Sequence, residues 1–435
     1  MNTGRELWRR AKNVIPGGNM LLSKRSEMFL PEYWPSYFSK AKGCYVWDLD
    51  NIKYKDISIM AIGTNILGYG NRKVDEAVNK TIAKGNMSTL NCPEEVLLAE
   101  KLVELHPWSQ KVRFARSGGE ANAIAIRIAR AATGRDDVAI CGYHGWHDWY
   151  LATNLEGESQ LEPHLLPGLE PNGVPKGLKG TVHPFGFNDL SHIQKIVASK
   201  KLAAIKMEVQ RNEPPQKGFL ESIRNLCSKN GIVLIFDECT SGFRETYGGI
   251  HKKFDVQPDI AMFGKALGNG YAITAVVGRE EIMDAVQKTF ISSTFWTERI
   301  GPTAALKTLE VMKELRSWEI ITETGVFIKS RWKQMFNNYK IKYRDTGIAA
   351  LAGFSFESKN NLLYKTYITQ EMLKKNYLAA NSIYVSISHK KKILNRYFDE
   401  LEGILQNISK CEKGELVAEN MIKGDVCHGG FKRLN

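Results

Sequence analysis

The sequence lacks the cysteine spacing of a disulfide framework or a zinc ribbon. Its seven cysteines, Cys44, Cys92, Cys141, Cys227, Cys239, Cys411 and Cys427, are odd in number and hold no C-x-x-C. Reduced thiols in a cytosol fit that pattern. No stretch approaches the roughly 20 apolar residues of a membrane span. The start, "MNTGRELWRRAKNVIPGG", has no apolar signal core and reads as a short amphipathic helix stopped at Pro16 and Gly17. Net charge is +13, yet the longest basic run is Lys390, Lys391, Lys392. A nucleic-acid groove calls for a clustered stripe, so this scatter describes a solvated surface. There is no G-x-x-x-x-G-K-S/T, and "GYGNRK" from Gly68 has Lys73 where a dinucleotide fingerprint needs its third glycine. The expectation is a soluble, cytoplasmic protein with neither nucleic-acid nor membrane partners.

What is present is a large apolar inventory. With 435 residues, 43% of them hydrophobic, the chain can bury more than one compact core. The middle alternates strand-like runs ("KVRFA", "DDVAIC", "LAAIKMEV", "IVLIFDE", "DIAMF", "AITAVVG") with helical periodicity, as at Ala121, Ile124, Ala125, Ile128 and Ala132. That pattern predicts an α/β fold with a mostly parallel sheet covered on both faces. The ends differ. "GCYVWDLDNIKYKDI" predicts antiparallel strands turning at Asp50-Asn51. Beyond residue 300 come long helices, then the short strands "LAGFSFES" and "SIYVSIS", then a last helix. The expected division is a large domain over 61–300 and a smaller α+β domain from 1–60 and 301–435. From Leu155 to Gly186 the chain carries Pro163, Pro167, Pro171 and Pro175 with little periodicity. A loop of that length is uncommon without a task, and composition leaves open a surface excursion or a lid over a cleft.

Chemistry gathers at strand exits. "VLIFDE" ends on Asp237 and Glu238, and "DIAMFGK" ends on Lys265. In open α/β sheets, ligands sit at the carboxyl ends of the strands. An amine there can form a Schiff base with an aldehyde, and a carboxylate there can keep a pyridinium nitrogen protonated; pyridoxal phosphate (PLP) chemistry needs both. Ordinary strand ends supply the same two residue types, so the pair alone decides little. "RSGGEAN" places Ser117, Gly118 and Gly119 between a strand and a helix, a geometry that suits a phosphate. In "CGYHGWHDWY", Tyr143 can stack on a flat ring. His144, His147 and Asp148 have no further ligand spaced to complete a metal site, so no metal is expected.

Taken in order, these motifs resemble the class III aminotransferases of PLP fold type I (aspartate aminotransferase-like), in particular their glutamate-1-semialdehyde 2,1-aminomutase branch. The carriers are "VRFARSGGEANAIAIRIARAATGRDDVAICGYHGWHD", "IVLIFDECTSGFR" and "PDIAMFGKALGNGYAITAVVGREEIMD". The resemblance implies that Lys265 carries the cofactor as a Schiff base and that Asp237 binds the pyridine nitrogen. It implies that Tyr143, with His144 beside it, meets the ring, that Ser117, Gly118 and Gly119 hold the phosphate, and that Glu208 lies near the cofactor. It further implies that Thr294 reaches the phosphate held by a neighbouring subunit, hence a homodimer with shared active sites. The resulting activity is an aminotransferase that moves an amino group from a small-molecule donor to a carbonyl acceptor through pyridoxamine phosphate. An aminomutase, which shifts the group within one substrate, is the alternative, and an inactive binding protein on this fold a weaker third. The chain departs from the family at Gly119, where threonine or serine is usual, and at "TFWTER", where Trp296, Glu298 and Arg299 are expected to narrow or polarise the substrate side. Lys24 or Arg25 stands where the mutase receives the substrate carboxylate.

Overall fold

The computed structural model describes residues 3–157, 160–164 and 168–430. Pro167 of the long loop lies outside them. The chain forms two compact units, residues 72–318 and residues 3–71 with 319–430. Among the described residues no helix is long and apolar enough to cross a membrane.

The smaller unit opens with helix α1 (Thr3–Val14) and the strands β1 (Phe38–Lys42), β2 (Tyr45–Asp48) and β3 (Lys53–Ile57). β2 and β3 pair antiparallel, as the alternation predicts. The Asp48 carboxylate makes the turn by accepting the N–H groups of Asp50 (2.9 Å) and Ile52 (2.8 Å).

The larger unit contains β4 (Lys111–Ala115), β5 (Asp137–Cys141), β6 (Val182–Pro184), β7 (Leu202–Met207), β8 (Val233–Glu238), β9 (Ile260–Phe263) and β10 (Thr274–Gly278). They form one sheet in the order β4-β10-β9-β8-β7-β5-β6. Only β10 runs against the rest, pairing antiparallel with both β4 and β9. Every residue of β7, β8, β9 and β10 is buried, which is why these strands read as apolar runs rather than alternating ones. The longer helices of this unit are α2 (Arg72–Ile82), α3 (Pro93–Leu105), α4 (Gly118–Thr133), α5 (Leu190–Ser199), α6 (Phe219–Asn230) and α7 (Ile300–Leu315).

Back in the smaller unit, the chain adds α8 (Ser317–Asn338), β11 (Tyr343–Thr346), β12 (Leu351–Phe356), α9 (Asn361–Lys374), β13 (Tyr377–Ala379), β14 (Ser382–Tyr384) and α10 (Lys391–Glu412). β13 extends the first sheet to β1-β2-β3-β13, and β11-β12-β14 form a second, antiparallel sheet.

The division differs from the expected 60/61 and 300/301 in both places. Residues up to 71 stay with the smaller unit, because Gly43 and Tyr69 bridge their backbones there. Residues 301–318 stay with the larger one, because α7 packs on α2 and α3. Such packing between distant helices leaves no mark in local sequence.

Because β4, β5, β7, β8 and β9 share one direction, their carboxyl ends lie along one edge of the sheet. Ser117–Gly119, Tyr143–His144, Glu208 and Lys265 follow those ends, and Asp237 is the penultimate residue of β8. Among the described residues of the long loop, Leu161 and Val174 are buried, and with Leu169 and Leu178 they join the core of the larger unit.

Candidate active site

Asp237 and Glu238 are neighbours on β8, so their side chains leave on opposite faces. Glu238, fully buried, accepts hydrogen bonds from the backbone N–H groups of Ile250 and His251 (3.2 Å) and from the His251 ring. His251 Nε2 in turn accepts the Trp108 indole N–H at 3.1 Å. That assigns the ring proton to Nδ1. Every oxygen and nitrogen of this cluster has a protein partner, and it reads as scaffold.

Asp237 faces the other way and is 4% exposed. Its Oδ2 accepts from His144 Nδ1 at 2.8 Å and lies 3.7 Å from the Lys206 ammonium. Its Oδ1 accepts the Cys239 N–H at 3.2 Å, and a carboxylate oxygen has room for one more donor. Burial alone would push this carboxyl up; Lys206 and then His144 outweigh it and hold it well below the usual carboxylate range. Burial lowers the His144 ring from its ordinary value, against the pull of Asp237.

Lys265 follows β9 with φ +36°, a left-handed backbone on a residue with a Cβ. Such a conformation costs about 1 kcal/mol and persists where its surroundings impose it. The Nζ donates to Thr240 Oγ1 at 2.8 Å, so the amine meets the turn that follows Asp237. Burial first, then Arg211 and Arg244, bring the ammonium down to about 8. It is thereby an amine that can give and take a proton near neutrality.

The glycine loop opens α4. Ser117 caps the helix, its hydroxyl accepting the Glu120 N–H (3.3 Å) while Glu120 Oε2 accepts the Ser117 N–H (2.8 Å). The Ser117 hydroxyl therefore serves the cap. The N–H groups of Gly118 and Gly119 belong to the first turn, which has no intrahelical acceptor for them, and the helix dipole favours an anion there. A Cβ on Gly119 would stand 2.7 Å from His147 Cε1 and 2.9 Å from its Nδ1. The His147 ring stacks on Trp146 at 4.4 Å, and its buried Nδ1 has no partner among the described residues. The imidazole thus fills the room a side chain at 119 would need.

Glu208, 7% exposed, follows β7. It accepts the Tyr143 N–H at 3.2 Å and pairs with Arg211 at 3.1 and 3.2 Å. The approach requires glycine at 142, where φ is +116° and a Cβ would lie 2.7 Å from Glu208 Oε2. The long loop reaches this point too, with His164 Nδ1 accepting the Gly142 N–H at 3.1 Å. The Tyr143 ring is partly open and meets Tyr150 edge to face at 6.0 Å.

Thr294 stands apart: it is exposed and begins a short turn, Thr294–Thr297. Glu298 pairs with Arg116 at 2.8 Å, Trp296 Nε1 donates to Glu120 at 3.1 Å, and Arg299 pairs with Glu94 at 2.7 Å. These groups brace residues 294–299 against the glycine loop and α3. A cavity of about 430 Å³ between α4 and residues 290–296 is lined by Glu120, His147 and Trp296 but not by Lys265 or Asp237; it flanks the loop rather than the amine. Lys24 lies in a short turn of the smaller unit, and Arg25 follows it.

Sequence reasoning missed Lys206, Arg211, Cys239, Thr240 and Arg244. Lys206 did carry a signal, as the single charge inside the apolar strand "LAAIKM".

Residues 31–376 match the family described as Aminotransferase class-III. The chain belongs to that family. The 3-aminobutyryl-CoA aminotransferase of Cloacimonas acidaminovorans is 32% identical over 94% of this chain and 97% of its own. The glutamate-1-semialdehyde 2,1-aminomutase of Methanocaldococcus jannaschii is 30% identical over 94% and 99%. Among solved structures, the FumI protein of Sphingopyxis sp. MTA144 superposes with a TM-score of 0.83 at 22% identity, covering 96% of this chain and 99% of that one. An omega-transaminase from Sphaerobacter thermophilus gives 0.81 at 24%, covering 93% and 97%. The fold is PLP fold type I, and the cofactor of this class-III aminotransferase is PLP. The residues present fit that group: a buried carboxylate with one acceptor position left, an amine with a lowered pKa at the next strand exit, and a bare glycine turn at a helix start.

Proposed function

We propose that this class-III aminotransferase works through Lys265 and Asp237, moving an amino group from a small-molecule donor to a carbonyl acceptor. The observation that carries the assignment is the pair of adjacent strand exits: Lys265 in a left-handed conformation with its amine on Thr240, and Asp237 fixed by His144 and Cys239. When bound, PLP supplies an aldehyde that takes up amines and a ring that accepts an electron pair. Lys265 Nζ holds and moves the proton at the substrate carbon, and Thr240 Oγ1 orients it. Asp237 Oδ1 holds the ring nitrogen. Tyr143 covers the ring, and Glu208 holds the Tyr143 backbone in place. The Gly118 and Gly119 N–H groups receive the phosphate. Exposure of Phe290 (82%) and Phe295 (68%) around Thr294 supports a homodimer in which a second copy covers this segment and Thr294 serves the neighbouring site. Seven free cysteines support a reducing, cytoplasmic setting.

The mutase reading has one observation for it, the long loop that reaches Gly142 through His164. The transferase reading is the one adopted, because the segments that depart from the mutase pattern lie at the amino-terminal and 294–299 positions. A panel of donors and acceptors, including a β-amino thioester and a 2-amino-1-aldehyde, separates the two by cofactor absorbance. A donor alone converting the chromophore to the amino form, with release of a carbonyl product, supports transfer. Isomerisation of one compound with no second substrate refutes it.

A further inference from the structure

Lys206 is the fifth residue of β7 and is fully buried. Its Nζ lies 3.7 Å from Asp237 Oδ2 and 3.3 Å from Met262 Sδ, a weak acceptor. β7 and β8 are neighbouring parallel strands, so this amine reaches Asp237 from within the sheet's flank rather than from the open edge where Lys265 emerges. Burial lowers the Lys206 ammonium from its ordinary value, and Asp237 is the group that most opposes this and holds the charge. The nearby alternative, Glu208, already takes Arg211 and the Tyr143 N–H.

The carboxylate of Asp237 is thus shared before any ligand arrives. Oδ2 serves His144 and Lys206, and Oδ1 serves the Cys239 N–H. A protonated ring nitrogen on Oδ1 makes two cations for one negative charge. The other titratable or charged groups around the pair are His144 after β5, Glu208 after β7, and Cys239 after β8. Burial favours the neutral forms of His144 and Cys239, and the Glu208 charge is offset by Arg211. None of them removes the competition.

We propose that Lys206 is a positioning residue that acts through Asp237, competing with the cofactor's ring nitrogen so that its proton is held less tightly than by an unshared aspartate. The ring then gains or loses that proton within the neutral range, and its electron-accepting power is adjustable rather than fixed. The inference rests on Asp237 as the partner of the ring nitrogen.

The test is the holoenzyme loaded with cofactor labelled with nitrogen-15 in the ring, its chemical shift followed from pH 6 to pH 9. The wild type is expected to show the ring proton lost within that window. Lys206→Met, uncharged and of similar length, is expected to raise the pH of that loss by about one unit or more, a tenfold gain in proton affinity. Lys206→Arg, which keeps the charge, is expected to titrate like the wild type. Lys206→Gln serves as the uncharged variant should the methionine variant not fold. A wild-type ring that stays protonated to pH 9 overturns the proposal. So does an uncharged variant that titrates with the wild type, or an arginine variant that follows the methionine one. Failure of the wild type to take up the labelled cofactor, or trapping at a lysine other than Lys265, counts instead against the site assignment.

Discussion

Two carboxylates one residue apart teach different lessons. Glu238 sits in a cluster where each donor and acceptor is matched: Ile250, His251 and Trp108 close the network. Asp237, on the other face of the same strand, is equally buried yet keeps one acceptor position and shares its charge with a histidine and a lysine. A closed network rigidifies. A partly open one, next to a lysine in a left-handed conformation, is how strain and unused bonding capacity mark a reactive centre. The same contrast holds between two lysines, Lys206 fully buried and Lys265 half-buried. Lys206 comes from inside the sheet and reaches Asp237; Lys265 stands at its edge and is free to meet a ligand.

Substitutions should separate these roles. Lys265→Ala is expected to abolish covalent retention of the cofactor and to lower kcat by about 10⁴-fold or more, measured with the best donor of the panel. Asp237→Asn removes the counter-ion of Lys206 and should cost some stability, but its main effect should be on turnover, with kcat lowered about a thousandfold in the folded, cofactor-bound fraction. Glu238→Ala should do the reverse. It leaves buried donors unmatched, so denaturant unfolding should show a loss of about 3 kcal/mol, with kcat changed less than about tenfold in the folded fraction. If both acid variants lost mainly stability, the distinction between scaffold and reactive face would fail. Next in size is the pH effect. Capture of cofactor by the apoenzyme requires the free amine of Lys265, which sits at about 8. The capture rate should rise tenfold per pH unit below that value and level off above it; a limb above pH 10 would return Lys265 to an ordinary lysine. The smallest effect concerns the loop. Gly119→Ser crowds His147 and should weaken cofactor binding about tenfold. His147→Ala in the same chain should recover most of that loss, read by equilibrium dialysis.

Much of this was legible in the sequence, for local reasons. A four- to six-residue apolar run ending in a charged group gives both the strand and the position of the group at its exit, so Asp237 and Lys265 could be placed before the fold was seen, whereas Glu208 came from the family resemblance alone. The turn Ser117–Gly119 in "RSGGEAN" places the start of α4 in the same way. What was not legible depends on contacts across the chain. Nothing in "LAAIKM" says that Lys206 meets Asp237 thirty-one positions later. Gly119 reads as a lost hydroxyl until His147 is found in its place. The pairing of the polar groups of "TFWTER" with Glu94, Arg116 and Glu120 also leaves no mark in local sequence. The antiparallel sense of β10 and the late boundaries of the larger unit follow from pairing and helix packing rather than from periodicity.

The most direct test is to reduce the holoenzyme with borohydride, digest it, and locate the pyridoxyl group by mass spectrometry. The account predicts the label on Lys265 alone, with Lys206 unmodified. A label on Lys206, or a chromophore that reduction leaves removable by dialysis, would contradict it.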